Sequence, residues 1–529
     1  MPKNKDALFP LIIVSIILLG VYLRVLGYHN PSFWLDEAWR ANIVSATNWF
    51  EELVGNKRAP NALGYISINV FLSRLHNSET VLRLSSLVPS ILAVLLVFLI
   101  AKNLFKTKLV IMLATFSMAI NPDLINYAKE LKPFSLELLC HLTVIYFFIL
   151  FWKSEKDKYL YMTFLTGFGS ALVAANTVFL FPGIFLLLLN KYFREGNKKM
   201  LLIVFLVALL LLCTLILQYV FIWSTSRHDL LVQHWKHNFY LRRPFTVDIL
   251  KWLFEQFLSS IRHFLNSNTF FSIPLLNAAY GIMLPIVYGL GIIFLMIKKQ
   301  AEWLILFLSP VIILISFNLL KIWPIGSIYV NIFMIFYLST VTMFGLDYLI
   351  EANKGKIRVA LISGIVIFFF IFQFPFDFKN YQEKPLLEDM KGAITYIHDA
   401  HASKPHEQCL GIQANDMKDT LCLSWLSAPA FKYYTQYHHD FSKKYGDYFR
   451  DHFNVIRYKG RAPDYVNEKS KEILGKNRNT WFLFSHFRTY EIGALREEIG
   501  LEKKKFPGVA VFYIPGNSGM KNETQKMTF

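Results

Sequence analysis

Residues 7–41 read ALFPLIIVSIILLGVYLRVLGYHNPSFWLDEAWRA. The run Ala7–Tyr28 is predominantly apolar and long enough to cross a bilayer core, which takes about 20 residues of α-helix. It stands where a signal peptide would, but no small-residue cleavage site follows it, so we predict a retained first membrane helix. Two adjacent carboxylates, Asp36 and Glu37, then lie between two tryptophans at the point where this helix leaves the lipid.

The whole chain has the composition of a polytopic α-helical membrane protein. Of its 529 residues, 54% are hydrophobic and only 17% are charged, which is too apolar for an ordinary soluble protein. Most of the net charge of +18 sits in short basic clusters between apolar runs. That pattern is typical of positive cytoplasmic loops, so we predict no nucleic-acid partner. The clusters are Lys3 and Lys5; Lys102, Lys106 and Lys108; Lys153, Lys156 and Lys158; Lys191, Arg194, Lys198 and Lys199; Lys298 and Lys299; and Lys354, Lys356 and Arg358.

Apolar runs of membrane-spanning length recur about eleven times. A cytoplasmic N-terminus puts every basic cluster inside and the C-terminus outside, as expected for a multi-pass protein of the bacterial inner (plasma) membrane. The predicted spans are 8–27, 84–101, 109–124, 134–152, 159–173, 176–190, 200–222, 274–297, 303–320, 328–349 and 358–375.

This topology predicts two domains. Residues 1–375 form a membrane domain with long outside loops at 30–83 and 223–272, and residues 376–529 form a small outside domain. The outside domain is charged and contains three strand-like runs, so we predict an α/β or α+β fold. Cys409 and Cys422 could form a disulfide there or remain two unpaired thiols. The strand-like runs are Gln408–Gln413, Thr480–Ser485 and Val509–Ile514.

The acids of the opening stretch begin an amphipathic pattern. Apolar residues recur at helical spacing as far as Leu53, which predicts a helix lying in the membrane interface with Asp36 and Glu37 at its N-terminus. One interpretation is structural, because acids cap helices and are stabilised by the helix dipole. The other is that a carboxylate acts here as a general base or holds a metal. The apolar positions are Trp39, Ile43, Ala46, Phe50 and Leu53.

The second outside loop carries the sequence NYAKELKPF at residues 126–134. Glu130 and Glu137 lie two turns apart on one helical face and could form an acidic wall with the first pair. Acids alone would repel an anionic lipid, so a site that binds a lipid-linked phosphate should also contain cations. They would stabilise the negative charge that builds up on the departing phosphate. Anchoring at the membrane interface is the alternative role for each cation. The candidates are Arg74, Arg83, Lys132 and Lys321.

The long loop after the seventh span contains three histidines between residues 224 and 245: His228, His234 and His237. His234 and His237 are three residues apart and could share a helix face and bind a metal. Histidines in an aromatic loop are more often only hydrogen-bonded, and both interpretations stay open.

These segments together resemble a known family, the GT-C membrane glycosyltransferases. The branch is that of the protein O-mannosyltransferases and the lipid A aminoarabinose transferase, which resembles glycosyltransferase family 39. The likeness rests on the Asp-Glu pair opening an interfacial helix, on VLRLSSLVPSILAVLLVFLIAKNLF at residues 81–105 and on NPDLINYAKELKPFSLELL at residues 121–139. It covers residues 8–350, and the tail only in general plan.

The resemblance implies inverting transfer of a sugar from a polyprenyl-phosphate donor in the outer leaflet. Asp36 would be the catalytic base, Glu37 would support it or bind a divalent metal, and Glu130 would be the carboxylate of the second loop. Several relatives carry an arginine where this chain has Tyr329, and Lys321 could replace it. The other residues expected to contact the donor are Arg83, Tyr127, Lys132 and Glu137.

Two other functions compete with transfer. A flippase for a lipid-linked saccharide would show internal repeats and polar sites in mid-membrane, which the sequence does not show. A polysaccharide polymerase or ligase would carry its chemistry in late outside loops, whereas these acids come early. The sugar and the acceptor, which could be a glycolipid, a polysaccharide or a protein, stay open.

Overall fold

The chain forms two compact units in this computed structural model. The first comprises residues 1–28, 53–69 and 83–384, and the second comprises residues 29–52, 70–82 and 385–529. The sequence-based division left the whole loop 30–83 with the membrane helices, whereas two segments of that loop pack with the C-terminal segment. The structure describes residues 8–28, 32–55, 61–220, 251–252, 255, 274–325, 329–353, 355, 357, 360, 364, 388–403, 418–458, 479–485 and 502–514.

Helices make up the described part of residues 8–353. Their bounds are α1 (Leu8–Val25), α2 (Leu35–Ser45), α3 (Trp49–Gly55), α4 (Leu63–Leu75), α5 (Glu79–Leu104), α6 (Lys108–Ile120), α7 (Pro122–Ala128), α8 (Phe134–Ser154), α9 (Asp157–Val173), α10 (Phe181–Arg194), α11 (Lys198–Gln218), α12 (Pro274–Ile297), α13 (Ala301–Leu319) and α14 (Met334–Ala352).

The predicted polytopic helical architecture is confirmed. Among the described residues, seven helical segments are long and apolar enough to cross a membrane, and α6 with α7 would make an eighth. Helices α9 and α12 occupy two more of the predicted spans, while the span predicted at 358–375 lies outside the described helices. The seven segments are α1, α5, α8, the 3-10 turn Ala175–Phe179 continued by α10, α11, α13 and α14.

The span predicted at 109–124 is broken rather than continuous. Helix α6 ends at Ile120, and α7 leaves at an angle of 48°. Pro122 cannot donate a backbone hydrogen bond and is well tolerated at the start of a helix. The side chain of Asn121 accepts a hydrogen bond from Leu124 N at 3.1 Å and so caps the new helix. The bend places Tyr127 and the turn after it at the end of a short helix.

The interfacial helix predicted from Asp36 to Leu53 is two helices. Helix α2 ends at Ser45, because Ala46 is extended, and α3 begins at Trp49 after Asn48, a residue type favoured at helix starts. The amphipathic spacing therefore predicted helical structure correctly within α2 and within α3, but it did not predict the turn between them. Helix α4, within the first predicted outside loop, was not predicted.

The second unit contains a mixed five-stranded sheet. Strand β1 (Asp419–Ser424) pairs in parallel with β2 (Phe453–Tyr458) and with β3 (Thr480–Ser485), and β5 (Val509–Ile514) pairs antiparallel with β3 and with β4 (Glu502–Phe506). The strand order is β2-β1-β3-β5-β4. Helices α15 (Met390–Ala402), α16 (Ala428–Lys432) and α17 (His439–His452) lie in the C-terminal part of this unit, with the π-helical turn Tyr433–Tyr437 between α16 and α17.

Two of the three predicted strands are confirmed with their bounds. They are β3 and β5, whose side chains are largely buried. The strand predicted at Gln408–Gln413 lies outside the described residues, as does Cys409, whereas Cys422 is buried in β1. Strands β1, β2 and β4 were not predicted.

Helices α12 and α14 approach closely at two glycines. A Cβ atom added to Gly291 would overlap Val341 O, and one added to Gly345 would overlap Val287 O. Small residues allow helix backbones to pack at such short range in a membrane. The crossing therefore has no room for even one extra methyl group on either glycine.

We predict that Gly345→Ala destabilises the protein. Overpacking of this kind costs about 1–3 kcal/mol, so thermal unfolding of the purified protein in detergent should begin at a lower temperature. Gly289→Ala is the matched control on α12, because no described atom lies within 4 Å of its added Cβ. Equal unfolding temperatures for the two variants would contradict the close crossing.

Candidate functional site

The candidate acids Asp36 and Glu37 lie in the second unit, in the first turn of α2. The helix begins at Leu35, and Trp34 occupies the N-cap position without a side-chain hydrogen bond to the helix in the described structure. Asp36 is therefore not the cap, so capping does not explain its presence. The helix dipole still favours both carboxylates.

The two acids differ in exposure. Glu37 is completely buried and Asp36 is partly buried. Burying a carboxylate is costly unless partners compensate for the lost water, so Glu37 is held in a defined place. Asp36 keeps access to its surroundings and is the better placed of the two to exchange a proton.

Helix α2 is fixed by hydrogen bonds within its unit. Phe33 N donates to Tyr434 Oη at 2.5 Å just before the helix starts. Asn42 Nδ2 donates to Pro429 O at 2.7 Å, and Ser73 Oγ donates to Val44 O at 3.0 Å near the helix end. The acids thus sit on a helix anchored near its start, its middle and its end.

The second group of candidates lies in the first unit, around the turn between α7 and α8. Lys129, Glu130 and Lys132 are 1%, 7% and 7% exposed. Lys132 N donates to Glu130 O at 2.8 Å and closes the turn. Tyr127 packs edge-on against Phe134, with ring centroids 5.0 Å apart. The turn therefore buries two ammonium groups and a carboxylate within four positions.

A polar stripe on α5 faces this turn. Ser86 Oγ donates to Lys132 O at 2.8 Å, and Ser90 Oγ donates to Leu124 O at 3.3 Å. Arg83 precedes Ser86 by three residues on the same face of the helix and is fully buried. The predicted candidates Arg83, Lys132 and Glu130 consequently belong to one region of the first unit.

Glu137 lies near the start of α8, where Asn176 Nδ2 donates to its Oε2 atom at 2.8 Å. One turn further along α8, buried His141 shares a hydrogen bond of 2.8 Å between Nδ1 and Tyr337 Oη. Its ring stacks on Phe333 at 4.6 Å. His141 was missed by the sequence interpretation, although its four-residue spacing from Glu137 was a usable signal.

Lys321 is exposed and adopts a positive φ of 58° in the turn after α13. Two asparagines hold this turn: Asn331 Nδ2 donates to Pro324 O at 2.7 Å, and Asn318 Nδ2 donates to Trp323 O at 3.1 Å. The side chain of Tyr329 lies outside the described part of the turn, so the replacement of the relatives' arginine by Lys321 stays a prediction.

Two further buried cations were not predicted as functional residues. One is Lys129, which the sequence interpretation treated as a membrane anchor. The other is Arg24 in α1, whose guanidinium donates to Ser90 Oγ at 2.8 Å and to Ala119 O at 2.7 Å. With its bonds to Gly20 O and Met118 O, Arg24 joins α1 to the end of α6 and is a structural residue.

The metal candidates His234 and His237 lie outside the described residues. Within the described parts of the second unit, ligand atoms of His76, His439 and Asp440 lie within 4.8 Å of one another. Lys443 Nζ, however, is 3.1 Å from His439 Nε2. An ammonium group at that distance disfavours a bound cation, so these three residues fit a metal poorly.

Known proteins share parts of this sequence and this fold. Residues 61–219 match the family of dolichyl-phosphate-mannose-protein mannosyltransferases. No curated protein sequence matches the chain.

Three solved structures illustrate the similarity of fold. ArnT from Cupriavidus metallidurans bound to undecaprenyl phosphate is 10% identical with a TM-score of 0.50, covering 96% of this chain and 98% of that chain. The Archaeoglobus fulgidus oligosaccharyltransferase in the apo form is 12% identical with a TM-score of 0.50, covering 92% of this chain and 70% of that chain. Its complex with zinc and sulfate is 14% identical with a TM-score of 0.47, covering 80% and 61%.

The present chain is shorter than the archaeal oligosaccharyltransferase, of which it spans 61–70%. It spans nearly the whole of the bacterial ArnT. The similarity to ArnT therefore extends over both the membrane helices and the C-terminal segment. The chain therefore shares its fold with ArnT and with the archaeal oligosaccharyltransferase, and its residues 61–219 match the family of dolichyl-phosphate-mannose-protein mannosyltransferases.

Proposed function

We propose that this protein is an inverting glycosyltransferase that moves a sugar from a polyprenyl-phosphate donor to an acceptor hydroxyl. The fold shared with an enzyme solved with undecaprenyl phosphate supports this class of donor. The match to a family named for dolichyl-phosphate-mannose supports the same class. The acceptor, whether a glycolipid, a polysaccharide or a protein, stays open.

The observation that carries the proposal is the concentration of buried cations in the first unit. Arg83, Lys129 and Lys132 are each less than a tenth exposed. Ammonium and guanidinium groups gathered in one buried region can make charge-assisted hydrogen bonds to phosphate oxygens. Such bonds strengthen as negative charge grows on the phosphate while the sugar–oxygen bond breaks.

The reaction assigned to Asp36 is general base catalysis. The carboxylate takes the proton from the acceptor hydroxyl as that oxygen attacks the anomeric carbon from the face opposite the phosphate. The bond between the anomeric carbon and the phosphate oxygen breaks, and its electron pair stays on the phosphate. One bond forms and one breaks, and the configuration at the anomeric carbon inverts.

The remaining candidates take supporting roles. Arg83 and Lys132 contact the departing phosphate, and Tyr127, near the end of α7, contacts the donor as well. Glu130 and Glu137 orient the sugar hydroxyls, because carboxylates accept two hydrogen bonds well. Lys321 is a further phosphate contact in place of the relatives' arginine. Glu37 supports Asp36 from its buried position.

The proposed location is the bacterial inner membrane. The N-terminus lies in the cytoplasm and the C-terminal segment outside, because this arrangement keeps the basic clusters on the inner side. The chemistry then takes place at the outer leaflet, where a polyprenyl-phosphate sugar would present its head group.

We predict that Asp36→Asn lowers the rate of sugar transfer by about 10²–10⁴-fold, the usual contribution of a general base. The amide keeps the shape of the side chain, and Trp34 rather than Asp36 occupies the N-cap, so the unfolding temperature should not change. The measurement is transfer from a purified polyprenyl-phosphate sugar, with Glu52→Gln, an exposed acid of α3, as the control.

A normal transfer rate in Asp36→Asn would overturn the assignment of the base. Loss of lipid movement across vesicles by this variant, with no transfer by the wild type, would favour a flippase instead. Mass spectrometry of the lipid that co-purifies with the wild type would identify the sugar.

We predict that Lys132→Gln raises the KM for the donor about tenfold, because a charge-assisted hydrogen bond to phosphate is lost. The backbone oxygen that accepts from Ser86 is unaffected by this change. Lys321→Gln should have a smaller effect, since Lys321 is exposed. Lys102→Gln, an exposed lysine at the other end of α5, is the control and should bind the donor normally.

A divalent metal is a separate part of the proposal: Glu37 would help to bind it, or His234 and His237 would. If an ion takes part, excess chelator lowers the transfer rate and added divalent cation restores it. His234→Ala should then require more cation for the same rate. Unchanged transfer under chelation, in the wild type and in His234→Ala, would remove the metal from the mechanism.

A further inference from the structure

Glu79, at the start of α5, is a buried carboxylate surrounded by the C-terminal segment. It is 4% exposed and belongs to the second unit. Tyr434 Oη donates to its Oε1 atom at 2.8 Å, and Lys391 Nζ lies 2.5 Å from the same oxygen. His438 Nε2 is 2.8 Å from Oε2. Three side chains from beyond residue 388 therefore converge on one acid of the first loop.

The proton positions in this cluster follow from the donors around it. Burial, and then the charge of Glu79, raise the pKa of Tyr434 well above its usual range, so the phenol stays protonated and donates to the carboxylate. His438 Nδ1 accepts from Phe441 N at 3.2 Å, which places the ring proton on Nε2, facing Glu79. The Glu79 carboxylate thus accepts from three donors, which offset the cost of removing its charge from water.

Tyr434 connects this cluster to the helix that carries Asp36. Its hydroxyl oxygen accepts from Phe33 N at 2.5 Å while its hydrogen goes to Glu79. Lys391 makes a second link, because its backbone N donates to Ser32 Oγ at 3.3 Å. The chain just before α2 is therefore held on both sides by residues that also bind Glu79.

We propose that Glu79, Tyr434, Lys391 and His438 form a positioning network for Asp36. The network touches the backbone at residues 32–33 and not the carboxylate itself, so it acts by fixing where α2 begins. A small shift of that start moves Asp36 relative to its substrate, and a misplacement of about 1 Å can cost about 10²-fold in rate. This inference rests on the proposed role of Asp36 as the base.

The test is Tyr434→Phe, with Tyr433→Phe as its matched control. Both tyrosines are completely buried, and each loses one hydroxyl while keeping its ring. Tyr433 Oη donates to Asn77 Oδ1 at 3.1 Å, whereas Phe33 N donates to Tyr434 Oη. The two variants should lose similar stability, so a purely structural role predicts equal activities.

We expect kcat to fall about 10–100-fold in Tyr434→Phe, with KM for a polyprenyl-phosphate sugar within twofold of the wild-type value. Tyr433→Phe should keep kcat within about twofold. If the lost hydroxyl only destabilised the fold, Tyr434→Phe and Tyr433→Phe would both contain less folded, active enzyme. Equal kcat values for the two variants at equal amounts of folded protein would overturn the positioning role.

A double variant separates this inference from the proposed function. If Tyr434 acts through Asp36, then Tyr434→Phe combined with Asp36→Asn is no slower than Asp36→Asn alone. Multiplied losses would show that Tyr434 acts independently and would overturn the inference, while Asp36 would remain the base. Normal activity of Asp36→Asn by itself would instead overturn the assignment of Asp36 as the base, and the network would then have no base to position.

Discussion

A charge that leaves water must find its partners inside the protein, and this requirement shapes both units of the chain. In the first unit, Arg24 of α1 donates hydrogen bonds to main-chain carbonyls at the end of α6 and so links the two helices. In the second unit, Glu79 accepts hydrogen bonds from three side chains that are distant in sequence. The buried lysines of the α7–α8 turn are a third case, and there the proposed function adds the donor phosphate as an anionic partner.

The fold was predictable where one physical signal dominates. Runs of about 20 apolar residues are required to cross lipid, so the spans could be found, and β3 and β5 are apolar enough to stand out in a charged tail. Strand β4, with the sequence EKKKF, carries no such signal because it lies at the edge of the sheet. The break at Asn121–Pro122 depends on local helix capping. It was not predicted, because the span at 109–124 was identified from its hydropathy alone.

The candidate site divides in the same way. The acids of α2 and the charges of the α7–α8 turn could be singled out because each group is contiguous in sequence. The partners of Glu79 could not, because Lys391, Tyr434 and His438 approach it only through tertiary structure. Helix bounds also mattered, since the start of α2 at Leu35 removed the capping explanation for Asp36.

The separation of Glu79 from Tyr434, 355 residues along the chain, has a consequence for biogenesis. At a synthesis rate of 5–20 residues per second, Glu79 emerges from the ribosome roughly 20–70 s before its partners. During that interval the carboxylate has to remain hydrated, so the segment before α2 cannot adopt its final packing. Most of the membrane helices are therefore made before the start of α2 can lock into place, and the second unit is completed last.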